Sequence, residues 1–206
     1  MIGPQEARRT EVPIECELFS LVRRERMARD TKDWTALQAA YWPGARVRVT
    51  WFDGPIEEFV EASRSSVRPG RVGGFHTIDP VWSEVRADRA LIESRGQILL
   101  RPLVEGIECD LTSWCRFVAG VERRNGRWRL AWFDNIYVKD RLDPVVPGAV
   151  PAVDTELLAS SRVAYQWLTY INARRGIRVP GDLPGVDRDD LVEDFWCGAR
   201  TWLGAS

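Results

Sequence analysis

Histidine is nearly absent from this chain: His76 is the one imidazole among 206 residues. A Cys/His zinc cluster is thereby excluded, and the four cysteines (Cys16, Cys109, Cys115 and Cys197) include no C-x-x-C pair that could open an all-thiol site. No metal and no organic cofactor is expected. An excess of either charge is also missing, since 29 Lys and Arg against 30 Asp and Glu leave a net charge of −1. That excludes the basic excess of a nucleic-acid binder and the polybasic block of a membrane-surface binder. No apolar run reaches the roughly 18 residues that cross a bilayer, and Met1 to Glu11 is polar, without the apolar stretch of a secretory signal. A cytoplasmic protein with free thiols is the expectation. What the chain has in quantity is tryptophan, ten in all. Trp51, Trp82, Trp114, Trp128 and Trp132 fall in strand-like segments and suit either the wall of an apolar pocket or a plain core.

Residues 11–30 read as a helix, with Ile14, Leu18, Leu21 and Val22 at helical spacing and Glu25 near the apolar face. Acidic side chains load its first turns and Arg23, Arg24, Arg26 and Arg29 its last, as the helix dipole favours. Residues 33–40 form a second short helix that Pro43-Gly44 ends. Residues 45–52 alternate as a strand with Val47, Val49 and Trp51 on one face, and 55–63 return to helix. A polar, Gly-rich loop over 64–74 leads to His76. Strands follow at 77–87 and 89–100, joined at Asp88, then at 108–122 and 126–139, joined by the hairpin dipeptide Asn125-Gly126. Helices first, then a meander of long strands, predict an α+β fold in which a curved antiparallel sheet wraps around helices. Beyond Asp140, three prolines between 144 and 151 read as an extended arm. A helix from Asp154 or Thr155 to Arg175, a loop over 180–187 and a last amphipathic helix over 188–203 complete the chain.

A histidine held by a carboxylate makes an economical general base near neutral pH. The unperturbed imidazole pKa is about 6.5, and the carboxylate fixes the tautomer and stabilises the imidazolium. Asp30, at the end of the first helix, is the carboxylate that position suggests. A lone histidine is also often purely structural, so spacing alone leaves both readings open.

The ordered set Arg29-Asp30-Thr31-Lys32-Asp33-Trp34, Tyr41-Trp42-Pro43-Gly44-Ala45, Trp51-Phe52-Asp53-Gly54, Gly74-Phe75-His76 and Asn125-Gly126-Arg127-Trp128-Arg129-Leu130 resembles the SnoaL-like branch of the nuclear transport factor 2-like superfamily. The resemblance covers residues 11–143 and implies a cone: a bent sheet and packed helices around one deep pocket. Residues 144–206 would be an arm and a two-helix extension rather than an independent domain. Within the branch, scytalone dehydratase, the bile-acid dehydratases and lindane dehydrochlorinase carry an Asp at the end of the first helix and a His at the start of a sheet strand. Asp30 and His76 match those positions, which implies a dehydratase-like lyase or isomerase with His76 as base and Asp30 as its holder. Its substrate would be small and apolar or aromatic, of polycyclic, steroid-like or polyketide-like type.

The second histidine of scytalone dehydratase and the tyrosine shortly before the Asp are missing here, Glu25 standing five residues ahead of Asp30. Tyr41, Trp51, Asn135, Tyr137 and Glu25 are the candidate pocket residues. Their ordinary alternatives are a core edge for Tyr41, a solvent-facing strand position for Asn135, packing for Tyr137 and an i+4 ion pair with Arg29 for Glu25. Two rivals stand beside the lyase. One is an epoxide hydrolase of the same fold using Asp110, Arg129 and Asp134. The other is a non-enzymatic ligand-binding or dioxygenase-small-subunit-like protein. A homodimer or homotrimer through the outer sheet face is expected in either case.

Overall fold

The apolar spacing at the N-terminus folds as α1 (Ile14–Thr31), led in by Pro13, in the computed structural model, which describes residues 12–68 and 73–204. The readings that fall on residues 1–11, and on 69–72 of the loop before His76, lie outside those residues. Asp33 caps α2 (Trp34–Ala39), its carboxylate accepting from the Ala36 N–H at 2.9 Å. Pro43-Gly44 does not end that helix. It lies inside β1 (Tyr41–Val49), where Gly44 takes φ +74° and the pairing register with the next strand over shifts between Tyr41 and Arg46. The strand expected over 45–52 stops at Val49, so Trp51 sits in the turn to β2 (Phe52–Pro55) and packs on Phe59 of α3 (Ile56–Ser65).

The long strands are β3 (Phe75–Arg86), β4 (Arg89–Leu100), β6 (Ile107–Arg124) and β7 (Arg127–Pro144), with the two-residue β5 (Leu103–Val104) folded against β6. Their order is β2-β1-β7-β6-β4-β3, an unclosed path. Every pairing is antiparallel except β1 with β7, where the chain returns in parallel after the whole meander. Bulges at the register shifts in β3 and β7 bend the sheet and change which residues face inward. One face carries Ile92, Phe117, Ala119, Phe133 and Tyr137, which join Leu18, Leu21 and Val22 of α1 in the main core.

Residues 144–204 continue this core and then cross to the other face. The single helix expected from 154 to 175 is broken into α4 (Thr155–Ala159), a short 3-10 turn at Val163–Tyr165 and α5 (Gln166–Ala173). Ser160 and Ser161 hydroxyls both donate to the Leu157 carbonyl, the competition for backbone groups that ends helices. Arg162 then anchors the break, donating to Asp187 and to the Gly181 and Leu183 carbonyls. Leu168, Tyr170, Ile171 and Leu183 are buried in the same cluster as α1. Residues 184–186 add to the edge of β7 through Tyr137, and α6 (Asp189–Leu203) lies across the outer face. There Ala199 and Leu203 pack on Leu91, Trp196 meets Trp82, and Phe195 and Trp202 meet Trp132. Among the described residues, no helix is long and apolar enough to cross a membrane.

Candidate active site

Asp30 comes from the last turn of α1 and His76 from the first residues of β3, one rung inside the sheet's inner face. Direct cross-strand pairing puts His76, Ile98, Ser113 and Asp140 on that rung. The Asp30 carboxylate grips His76 twice: Oδ1 lies 2.6 Å from Nδ1, and Oδ2 accepts from the His76 backbone N–H at 2.7 Å. A carboxylate only accepts, so the imidazole proton belongs on Nδ1 and Nε2 keeps its lone pair. Both side chains are about six-sevenths buried, 13% exposed for His76 and 16% for Asp30. Burial pushes the His76 pKa below its ordinary 6.5. The Asp30 hydrogen bond pulls it back up, while the charges of Arg26 and Arg29 add to the lowering. The imidazole is therefore neutral at neutral pH.

The ring of Phe117 stands 6.2 Å from that of His76, and Phe133 lies 5.9 Å beyond Phe117. Phe117 reaches so far because Gly96, on the neighbouring strand, has no side chain; a Cβ there would fall 2.2 Å from the ring. At the far end of this aromatic floor the Arg26 guanidinium sits 4.6 Å over Phe133. It is buried and bound by two of its three nitrogens to Glu25, Nε to Oε2 at 3.0 Å and Nη2 to Oε1 at 2.5 Å. The Tyr41 hydroxyl donates to Glu25 Oε1 at 2.9 Å. Burial alone would lower the Arg26 pKa; the Glu25 carboxylate outweighs it and holds the guanidinium charged. Removing one partner from such a buried pair costs about 3–5 kcal/mol, because the other is left as an uncompensated charge.

The expected pocket residues are thus placed as follows. Glu25 pairs with Arg26 and not with Arg29. Tyr41, Asn135 and Tyr137 are each no more than 1% exposed, and Asn135 faces the interior rather than solvent, on the rung of Phe117. Tyr137 Oη accepts from the Thr50 N–H and from Asn135 Nδ2, and Asn135 Oδ1 has no partner among the described residues. Trp51 is further round, packed with tilted rings against Phe52 and Phe59. Two surface clefts, of about 1040 and 280 Å³, open elsewhere, at the start of α1 beside Trp128 and at the strand ends near Phe75 and Leu99; neither is lined by Asp30 or His76.

Asp110, Arg129 and Asp134 do not form a site. Asp110 is bound to Arg101, Arg129 lies over Trp42, and Asp134 shares the outer face with Arg48. Arg26 and Gly96 were not singled out from the sequence. The signals were there: an arginine one turn before Asp30 on the buried stripe of α1, and a glycine inside a strand pattern, which marks close approach.

A sequence model of the SnoaL-like domain matches residues 15–134. A PEP2-like protein of Fusarium vanettenii is 31% identical over an alignment covering 85% of this chain and 79% of its own length. Among solved structures, the hexachlorocyclohexane dehydrochlorinase LinA-type3 of Novosphingobium barchaimii LL02 superposes with a TM-score of 0.53 at 19% identity. It covers 67% of this chain and 96% of its own. A scytalone dehydratase-like protein of Novosphingobium aromaticivorans DSM 12444 does so with a TM-score of 0.51 at 13% identity, over 68% and 93%. At those identities the superpositions establish the shared fold. The matched stretch runs from α1 into β7 and takes in both Asp30 and His76, and the chain belongs to the SnoaL-like family.

Proposed function

We propose that the protein is a cofactor-independent lyase or isomerase of dehydratase type, acting on a small apolar or aromatic ring compound. The observation that carries this reading is the double grip of Asp30 on the ring and backbone of His76, which leaves Nε2 unprotonated beside an aromatic floor. Nε2 takes a proton from a substrate carbon. The electrons of that C–H bond form the new double bond, and the leaving group departs with its own bonding pair. The imidazolium, made a stronger acid by its depressed pKa, then gives the same proton to a departing hydroxide, releasing water; in an isomerase it returns the proton to another carbon. Asp30 remains a carboxylate and balances the imidazolium. Phe117 and Phe133 would carry the ring, with Tyr41, Trp51, Asn135, Tyr137 and Glu25 around it.

The test is turnover of a panel in D2O, followed by mass spectrometry. The panel includes hexachlorocyclohexane and scytalone, the compounds named by the two structural neighbours, and hydroxylated bicyclic ketones. His76→Ala should abolish turnover and Asp30→Asn should lower it by on the order of 10²–10⁴-fold. Activity should rise with pH through a midpoint below 6.5 and be flat by neutrality, since the neutral base is the active form. A His76→Ala protein with the parent rate sinks the mechanism. The Tyr41 and Tyr137 hydroxyls are both engaged, one with Glu25 and the other with Thr50 and Asn135, which favours one second reading, a cone that binds its ligand without converting it; ligand retained unchanged by the parent protein would select it.

Assembly as a dimer or trimer belongs to the same proposal. α6 covers the part of the outer face around Leu91, Trp82 and Trp132, and the stretch around Phe75, Leu99 and Trp114 is left for a partner subunit. A monomer by ultracentrifugation at micromolar concentration would remove that part.

A further inference from the structure

We infer that Glu25 is a positioning residue whose task is to keep Arg26 away from Asp30. Arg26 and Asp30 stand four residues apart in α1, so their Cβ atoms lie one turn apart on the same helix face, about 6 Å. A buried guanidinium one turn from a carboxylate would ordinarily fork onto it. Here it does not: both bonding nitrogens go to Glu25, the group's central carbon stands 4.6 Å from the Phe133 ring centre, and both oxygens of Asp30 stay with His76. Tyr41, donating to Glu25 Oε1, fixes the carboxylate from the other side. The chain therefore buries two carboxylates at the end of α1 with separate partners, Glu25 for the arginine and Asp30 for the histidine. Without the charge on Glu25, Arg26 would claim Asp30, the imidazole would lose its holder, and Nδ1 would no longer be fixed as the protonated nitrogen.

The functional meaning of this assignment rests on His76 being the base, but its test does not. The chain has one histidine, so a ¹⁵N-histidine-labelled sample reports His76 alone by NMR. In Glu25→Gln the amide oxygen keeps the Tyr41 hydrogen bond, while the charge and one of the two acceptors for Arg26 are lost. The His76 pKa should fall below that of the parent, and the downfield proton shared between Nδ1 and Asp30 should disappear, with turnover down on the order of tenfold or more. In Glu25→Gln/Arg26→Met the competing cation is gone as well, so the shared proton and turnover should return and the pKa should rise above the parent value. Glu25→Asp, which keeps the charge on a shorter reach, should show a smaller fall of the same sign and serves if Glu25→Gln does not fold. An unchanged titration and shared proton in the single variants would overturn the inference, as would a double variant as impaired as Glu25→Gln. His76→Ala with parent turnover would instead remove the catalytic reading and leave the titration order standing.

Discussion

Gly96→Ala is the smallest change that should reach both the fold and the dyad. A Cβ built at Gly96 would lie 2.2 and 2.7 Å from two carbons of the Phe117 ring and 2.4 Å from the Thr77 carbonyl oxygen. The ring could turn aside, though only by leaving His76. The carbonyl could not, because it is backbone of β3, paired residue for residue with β4. The oxygen would have to retreat by about 1 Å to reach ordinary contact, straining the ladder one residue from His76. Overpacking of a core costs about 1–3 kcal/mol, and a backbone contact belongs at the upper end. Loss of glycine's freedom in the unfolded chain returns about 0.4–1 kcal/mol. The net is a destabilisation of about 2 kcal/mol, or roughly 4–8 °C in melting temperature for a chain of this size. Thermal unfolding by circular dichroism reads the first effect and NMR titration of His76 the second. Phe117→Leu added to Gly96→Ala should recover part of the loss only, because the carbonyl remains. An unchanged melting temperature with an unchanged titration would refute the geometry, and full recovery in the double variant would show that the carbonyl contact costs nothing. Gly120→Ala is the natural control: all three of its close contacts are with the Trp132 indole on the outer face, so it should unseat α6 and leave the His76 titration alone.

Two further outcomes follow from the outer face. Burial pushes the Asp134 carboxyl up to about 7, with Arg48 and Arg46 opposing. A raised folded-state pKa means that its contribution to stability is full below about 4, falls as the pH climbs and is gone above about 7. Asp134→Asn should therefore match the parent's stability at pH 4 and exceed it at pH 8, by up to about 4 kcal/mol; the same difference at both values would contradict the assignment. Ending the chain after Arg188 removes α6 and uncovers Trp82, Leu91 and Trp132. The sedimentation profile should move toward larger species, and an unchanged profile with an unchanged melting temperature would show that α6 covers nothing that matters.

What was legible in the sequence was what local periodicity records. The apolar spacing of α1, the alternation of the long strands and the Asn125-Gly126 turn, with Asn125 at φ +50° and Gly126 at φ +74°, are set by nearby residues. What was hidden depends on partners far along the chain. Asn135 looks solvent-facing only if alternation is carried unbroken along β7. The register shift around Ala131 reverses it and the one at Val138 reverses it again, so Leu130, Phe133, Asn135, Tyr137 and Asp140 all end up inward. The i+4 rule favoured Arg29 for Glu25. On a buried stripe, though, what decides is which cation shares the stripe, and Arg26 does while Arg29 turns toward Trp34 and Phe59. The helix expected through 160 failed because two serines offer the Leu157 carbonyl other donors and Arg162 is drawn to Asp187, twenty-five residues on. Asp30 and His76 were found through resemblance, since nothing in their spacing says that they touch.

The C-terminal extension bears on the site as well as on the outer face. The rung that begins at His76 ends at Asp140, whose Oδ2 accepts from the Leu168 N–H at the start of α5 at 2.8 Å. Its Oδ1 is buried with no partner among the described residues, and burial pushes its pKa up to about 6. The helix dipole favours the charged form, so α5 both covers this end of the inner face and draws on a carboxylate of the His76 rung to do so. The two solved neighbours are each nearly spanned by two thirds of this chain, whereas the fungal relative aligns over 85% of it and so into the extension. The proposed elimination would gain from being closed to water. At the Asp140 end the covering segment belongs to the same chain: after α5 packs on the inner face, it runs past Tyr137 to become the helix that covers part of the outer one.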